Sequence, residues 1–396
     1  MSVLVSRPGE ARPVPPSDQV NLGVIGVGSR GQELMRVMLR IEGVRVRGLC
    51  DVYEPRFAQG RKVTAEETPI YRDYRRLVEA RDLDAILVAT PLSLHAEHVI
   101  AALESGAHVY GEKSMALTLP ECGRIVEVVK RTGKHFQIGL QYHYAPWYRE
   151  ALKRIHAGMI GHVTEIYAYW HRNHSWRRPL PDSQDPQLER LINWRLYRAY
   201  SGGLLAELGS HHIHFANEVF GGVPESVVGS GGIDYWKDGR EVPDNVQVVY
   251  RYPGGQTLFL SAVTTNRLDG SQIRVLGTAG SAVLTQADCI FYDEPATARS
   301  AALAESVVEH GVVTGASYLA EMPYRGPGHP IEVPEGEAGS ADYLACRSFI
   351  DCVRSNRRPE ADEQAGWAAG VTVAVGNHAI DHGGRVRFAE HVRAAA

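Results

Sequence analysis

Over the first 140 positions, apolar residues fall into short continuous runs separated by helical patterns. Residues 21–26 (NLGVIG) form one such run, after which Leu34, Val37, Met38 and Ile41 recur at helical spacing. Further runs lie at 44–50, near Ile70, and at 84–89, 107–111 and 134–140, with helical patterns between them at about 54–64, 73–80, 95–105 and 119–132. Strands alternating with helices predict a parallel, doubly wound sheet covered on both faces. Past residue 140 the rhythm changes. Longer stretches at 162–171, 225–233, 245–252, 256–265, 272–276 and 281–285, several joined by glycine turns such as Pro253-Gly254-Gly255, predict a large, open, mostly antiparallel sheet. Helical patterns at about 146–158, 203–219 and 341–355 are expected to cover one of its faces. Residues 172–200 read as a long ordered loop, and 293–339 carry no assignable pattern. The expected class is α/β, with a flexible tail over 1–20, a doubly wound unit over 21–140 and an α+β unit over 141–396 that binds substrate and mediates oligomers.

Composition narrows the classes of function. The chain has 396 residues, 44% hydrophobic and 22% charged, enough for two domains with sizeable cores. A net charge of −4 lacks the basic surplus of a nucleic-acid binder. Five scattered cysteines, with no C-x-x-C, fit a reducing compartment better than a disulfide framework. No apolar run reaches the length of a signal peptide core or a membrane span, so a cytoplasmic protein without membrane contact is expected.

The chemistry begins at Gly26-Val27-Gly28-Ser29-Arg30-Gly31. This G-x-G-x-x-G follows a strand and opens a helix, and Asp51 ends the next strand twenty positions later. That is the context of a dinucleotide-binding Rossmann turn. Gly26 allows the tight turn, Gly28 lets backbone approach a pyrophosphate, and Gly31 lets the helix pack on the sheet. The phosphates would sit at the helix start, where free N–H groups favour negative charge. Asp51 would hold the adenosine ribose hydroxyls and repel a 2′-phosphate, favouring NAD over NADP; it would alternatively cap the next helix. Ala89-Thr90-Pro91 with His95, and Glu112-Lys113-Ser114, follow the fourth and fifth strands, so Thr90, Pro91, His95, Glu112 and Lys113 fall at the crevice mouth. Lys113 is expected beside the nicotinamide.

Two more segments carry polar chemistry. In Gly202-Gly203-Leu204-Leu205-Ala206-Glu207-Leu208-Gly209-Ser210-His211-His212, helical spacing puts Glu207 and His211 on one face. A carboxylate there can orient the ring of a general base. A competing reading gives Glu207, His211 and one of His171, His174 or His214 to a metal, but no H-E-x-x-H spacing supports it, and no metal is expected. The loop from Trp170 to Pro179 and the stretch Asn193 to Arg198 interleave aromatics with cations. Arg172, His174, Trp176, Arg177, Trp194 and Arg195, with His212, are therefore candidate sugar and oxyanion contacts; a solvated loop or subunit contact has the same composition.

With these motifs together, the chain resembles the glucose–fructose oxidoreductase/inositol dehydrogenase/MocA (Gfo/Idh/MocA) superfamily from about residue 21 to 388. The resemblance rests on V-I-G-V-G-S-R-G, the A-T-P turn, E-K-S-M-A-L, G-G-L-L-A-E-L-G-S-H and F-I-D-C-V-R-S-N-R-R-P. It implies a Rossmann domain plus an open-sheet domain that commonly mediates oligomers, here a homodimer or homotetramer. By position it implies that Lys113 and His211 are catalytic. Glu207 stands where many members have Asp, and Ser114 where most have Pro. The segments W-H-R-N-x-x-W-R-R-P and N-W-R-L-Y are similar to a branch of NAD-dependent glycosidases that includes NAD-dependent sulfoquinovosidase. In that branch a sugar hydroxyl, usually at C3, is oxidised, the aglycone is eliminated, water adds, and the same NADH restores the alcohol. The resemblance therefore implies NAD and a sugar or glycoside substrate. Three readings follow: a redox-neutral glycosidase, a plain sugar or inositol dehydrogenase that releases NADH, and a non-catalytic nucleotide sensor.

Overall fold

The computed structural model describes residues 18–180, 185–294, 307–309, 312–314, 327–332 and 339–395. The tail expected over 1–20 lies outside the described residues up to position 17, and Val20 already opens a strand.

The first sheet has six parallel strands: β1 (Val20–Ile25), β2 (Val44–Cys50), β3 (Ile70–Tyr71), β4 (Ala85–Val88), β5 (His108–Gly111) and β6 (Phe136–Ile138). Their order is β3-β2-β1-β4-β5-β6, the doubly wound arrangement. β4 (AILV) is buried at every position because helices cover both faces. Helices α1 (Ser29–Met38), α2 (Pro55–Arg61), α3 (Tyr74–Val78), α4 (His95–Glu104) and α5 (Leu119–Thr132) connect the strands. The strand order changes sense between β1 and β4, and the crevice opens at their carboxyl ends.

The second sheet centres on β7 (Val163–His171) and continues through β8 (Ser226–Gly232), β9 (Asn245–Arg251), β10 (Thr257–Val263), β11 (Ser271–Gly277) and β12 (Gly280–Leu284). Among the described residues it has nine strands, antiparallel except for the β7–β10 pair. Ile166, Ala168, Leu258, Leu260 and Val248 alternate onto the buried face. That face packs against α6 (Pro146–His156) and α8 (Ser210–Phe220). Part of the stretch read as a loop, Pro186–Ile192, is a helix (α7) capped by Asp185. The pattern-less 293–339 region lies largely outside the described residues.

Two helices near the C-terminus bind the units together. The apolar pattern assigns the helix at 341–355 to the second sheet; the structure instead lays α9 (Ala341–Ser355) on the first. Its Cys346, Phe349 and Ile350 complete a core with Val20, Leu22 and Tyr110, and Phe349 meets Tyr110 edge-on at 5.6 Å. The following helix, α10 (Glu363–His382), has no counterpart in the pattern, because three glycines and several valines make GWAAGVTVAVG a poor helix sequence. Those glycines are the reason it fits. A Cβ on Gly370 would lie 3.0 Å from Cys122 Sγ of α5, and one on Gly376 would lie 2.1 Å from the Tyr250 hydroxyl of β9. One helix thus touches both units at close range. Among the described residues, no helix is long and apolar enough to cross a membrane.

Replacing Phe349 with Ala should destabilise the nucleotide unit by about 3–5 kcal/mol, the usual cost of emptying a fully buried aromatic site. A urea titration followed by the signal of that unit tests this, and an unchanged midpoint would remove α9 from the first core.

Candidate active site

Each glycine of the first turn has its own steric reason. Gly26 has φ +94, and a Cβ there would lie 2.5 Å from Ala89 O. A Cβ on Gly31 would lie 2.0 Å from Gly26 O, so the helix could not seat. A Cβ on Gly28 would meet nothing within 4 Å, because that position faces open space. No side chain caps α1, so its first N–H groups are left for an anion. Asp51 braces the loop: Oδ2 accepts from Val27 N at 2.8 Å and Oδ1 from Tyr53 N at 2.9 Å.

These residues line one cleft of about 530 Å³. Its walls include Gly26, Gly28, Ser29, Arg30, Asp51, Thr90, Pro91, His95, Glu112 and Lys113, so every expected cofactor residue lines it except Gly31, which packs beneath. An open glycine cradle, an uncapped helix start and a carboxylate at the end of β2 fit a dinucleotide. Within the set, roles divide. His95 is 3% exposed and lies 2.8 Å from Ser114 O through Nδ1 and 3.0 Å from Thr90 O through Nε2, tying together the loops after β4 and β5. Burial lowers its pKa. Arg30 is committed to Glu112 Oε1 at 2.8 Å and to Asp342 Oδ1 of α9 at 2.6 Å.

Lys113 reaches across to the second unit. Its Nζ donates to Glu207 O at 2.7 Å and to Ala206 O at 3.4 Å. Those carbonyls lie in Leu205–Gly209, a single π-helical turn leading into α8. A widened turn departs from the regular helical hydrogen-bond ladder, and such turns cluster at functional sites. Here side chains meet its carbonyls: Ser210 Oγ also donates to Ala206 O at 2.9 Å. Burial lowers the Lys113 pKa, opposed by the charges of Glu207 and Glu112.

Helical spacing pairs Glu207 with His211, but the structure does not. Glu207 Oε2 accepts from Arg195 Nε at 2.6 Å, and against burial Arg195 and Lys113 hold its pKa below the ordinary value. The wide turn carries the two side chains apart. His211, 6% exposed, leaves Nδ1 without a hydrogen-bond partner, and burial followed by the Lys113 charge pushes its pKa well below the usual histidine range. Its ring stands edge-on to Tyr142 at 4.9 Å. With His212, Trp147 and Trp170 it lines a second, smaller chamber of about 20 Å³ rather than the main cleft.

The aromatic, cationic segments also divide. Trp194 and Arg195 line the cleft, with the Arg195 guanidinium 4.3 Å over the Trp194 ring. Arg172 lies 5.5 Å over Trp170, and burial, with the Arg195 charge and against Tyr142 and Glu207, shifts its pKa down. His212 Nε2 lies 3.2 Å from Ser271 Oγ in the second chamber. His174, Trp176 and Arg177 line neither space. His174 Nδ1 accepts from Trp176 N at 2.8 Å, and Arg177 is locked to Glu189 and Asp238. The cleft instead takes the adjacent Arg178, whose Nη1 donates to Ser29 Oγ at 3.2 Å. Two neighbouring arginines look alike in sequence, and only the positions of Glu189 and Asp238 decide which is free. Arg72, Tyr74 and Arg75 at the far end of the cleft carry no motif that would have drawn notice.

Comparison with known proteins fits this geometry. Residues 20–140 match a family model described as an oxidoreductase family with an NAD-binding Rossmann fold, and residues 148–283 match the GFO/IDH/MocA C-terminal domain. A 2,7-anhydro-N-acetylneuraminate hydratase of Mediterraneibacter gnavus is 33% identical over 217 residues, 54% of this chain and 52% of that protein. A glycosyl hydrolase family 109 protein of Shewanella pealeana is 28% identical over 193 residues, 46% of this chain and 41% of that protein. The chain spans about half the length of the curated relatives it matches. Levoglucosan dehydrogenase, solved in complex with NADH and levoglucosan, superposes with a TM-score of 0.73 at 18% identity, covering 93% of this chain and 99% of that one; this likeness is one of fold.

Substituting Ala at Gly28 and at Gly31 should separate two steric effects. Gly28→Ala should weaken NAD binding about tenfold, or about 1.4 kcal/mol, and leave thermal stability unchanged. Gly31→Ala should lower both. Fluorescence titration with NADH alongside thermal melts reads the pair, and equal behaviour of the two variants would contradict it.

Proposed function

The chain belongs to the Gfo/Idh/MocA family, its N-terminal unit is an NAD-binding Rossmann domain, and from that premise we propose that it is an NAD-dependent glycoside-cleaving enzyme. The observation that carries the reading is Lys113, half-buried in the wall of the dinucleotide cleft and hydrogen-bonded to the π-turn that leads into the helix of His211. NAD, when bound, supplies a hydride acceptor that can return what it takes. The protein's part is to place the sugar and move protons.

His211, held neutral by burial, takes the proton of the sugar hydroxyl being oxidised. Lys113 has three N–H donors and uses two on carbonyls, leaving one for the developing alkoxide oxygen. Oxidation at C3 acidifies the C2 proton. The aglycone can then leave by elimination, water can add, and reduction closes the cycle with no net change in redox state. Glu207 fixes Arg195 at the wall of the cleft, and Arg178 and Arg195, with Arg172 behind them, suit an anionic sugar such as a sulfoquinovoside. The hydratase and the glycosyl hydrolase family 109 protein, both similar over about half their length, support sugar chemistry beyond simple dehydrogenation.

Nitrophenyl glycosides, a sulfoquinovoside among them, test the net reaction. Nitrophenol released without accumulating NADH is the expected result, whereas NADH accumulating from free sugars would make the protein a plain dehydrogenase. Lys113→Ala and His211→Ala should each cut turnover by about 10²-fold or more while NAD affinity stays within a few-fold; full turnover in both would reject the assignment.

The pH profile is a further check. A depressed pKa keeps His211 in its base form as pH falls, so the acid limb of kcat/KM should lie below the ordinary histidine value of about 6.5. A limb at or above that value would argue against His211 as the base.

A further inference from the structure

Along α8 beyond His211, three side chains converge. His143 sits on the short turn Gln141–Tyr144, and His214 and Glu218 lie one turn apart on α8. His143 Nδ1 is 3.2 Å from His214 Nε2 and 3.2 Å from Glu218 Oε2, and those two partners are 4.0 Å apart. A triangle with these sides has a centre about 2.1 Å from every corner, the length of a zinc–imidazole or zinc–carboxylate bond. None of the three lines the dinucleotide cleft or the small chamber. We infer that His143, His214 and Glu218 form a binding site for one divalent transition ion of the zinc type.

Two observations support the site. First, donor chemistry: two imidazoles and one carboxylate select zinc-like ions over magnesium or calcium, which prefer all-oxygen sets. Second, surroundings: His143 Nε2 is buried with no hydrogen-bond partner and faces Glu360 Oε2 at 3.6 Å, an ionic contact too long for a hydrogen bond. A ligating histidine turned by its other nitrogen towards a carboxylate is the usual arrangement around a bound metal. The Tyr148 hydroxyl, on a residue 2% exposed, also has no partner; its ring lies parallel to that of His214 at 6.4 Å. Sequence spacing hides the group because His143 and His214 are 71 positions apart. The site sits one turn beyond His211 on the same helix, beside Tyr142, which packs on His211. A bound ion would therefore anchor the wall behind the candidate base.

Purified full-length protein, stripped with a chelator, can be titrated with Co²⁺ and followed by visible absorption. The expected result is one cobalt per chain with the intense bands of a four- or five-coordinate ion, displaced by Zn²⁺. Glu218→Gln, isosteric and partly exposed, should weaken binding at least tenfold, and the exposed His382→Ala should leave it unchanged. Thermal melts give a second readout: Zn²⁺ should raise the midpoint of the wild type and not that of Glu218→Gln. Cobalt binding below one per chain at saturation, binding unaffected by Glu218→Gln, or binding lost in His382→Ala would each overturn the site.

Discussion

The cleft depends on a half-buried ammonium held by carbonyl oxygens from the other unit. Removing a lysine charge from water costs several kcal/mol unless its donors are met. Lys113 leaves β5 and finds that compensation in Ala206 and Glu207, on a turn widened by one residue. A regular helix would engage those carbonyls along its own axis; the wide turn presents them sideways. The same distortion swings Glu207 away from His211 and onto Arg195. One irregular turn therefore joins the units, positions an arginine and leaves a histidine ring nitrogen unpartnered.

The nucleotide turn was legible in the sequence because its constraints are local. Gly26 and Gly31 answer to backbone atoms at the end of β4 and within the turn, Gly28 leaves space open above it, and Asp51 binds the loop amide of Val27. The alternation of strands with helices gave the parallel sheet for the same reason: β-strands covered on both faces read as continuous apolar runs. Features set by distant partners were not legible. Nothing in Arg177-Arg178 reveals that Glu189 and Asp238 hold the first and free the second. The spacing of Glu207 and His211 assumes 3.6 residues per turn, and the wide turn breaks that assumption. Helix α10 hid because its glycines and valines serve close contacts with Cys122 and Tyr250, and those contacts override intrinsic propensity.

Arg30 shows how far the nucleotide turn's support extends. It belongs to the glycine-rich turn, yet its guanidinium bridges Glu112 after β5 and Asp342 on α9. These links are partly buried, where ion pairs are screened less than at a surface. The loop that is to receive phosphates is thus braced from two other parts of the chain, and Arg40, 5.1 Å over the Tyr343 ring, adds a second contact to α9. Such bracing keeps the cradle in one geometry and lowers the ordering required when a ligand arrives.

The placement of α9 has a consequence for synthesis on the ribosome. Arg30 and Asp342 are 312 positions apart, and Phe349 fills the core beneath β1. The first unit lacks part of its hydrophobic interior until α9, some three hundred positions further along the chain, has been translated. Non-local closure of this kind is slow and leaves apolar surface uncovered in the interim. The nascent nucleotide unit is therefore a natural client for chaperones, and its maturation is timed by the arrival of α9, not by completion of its own six strands.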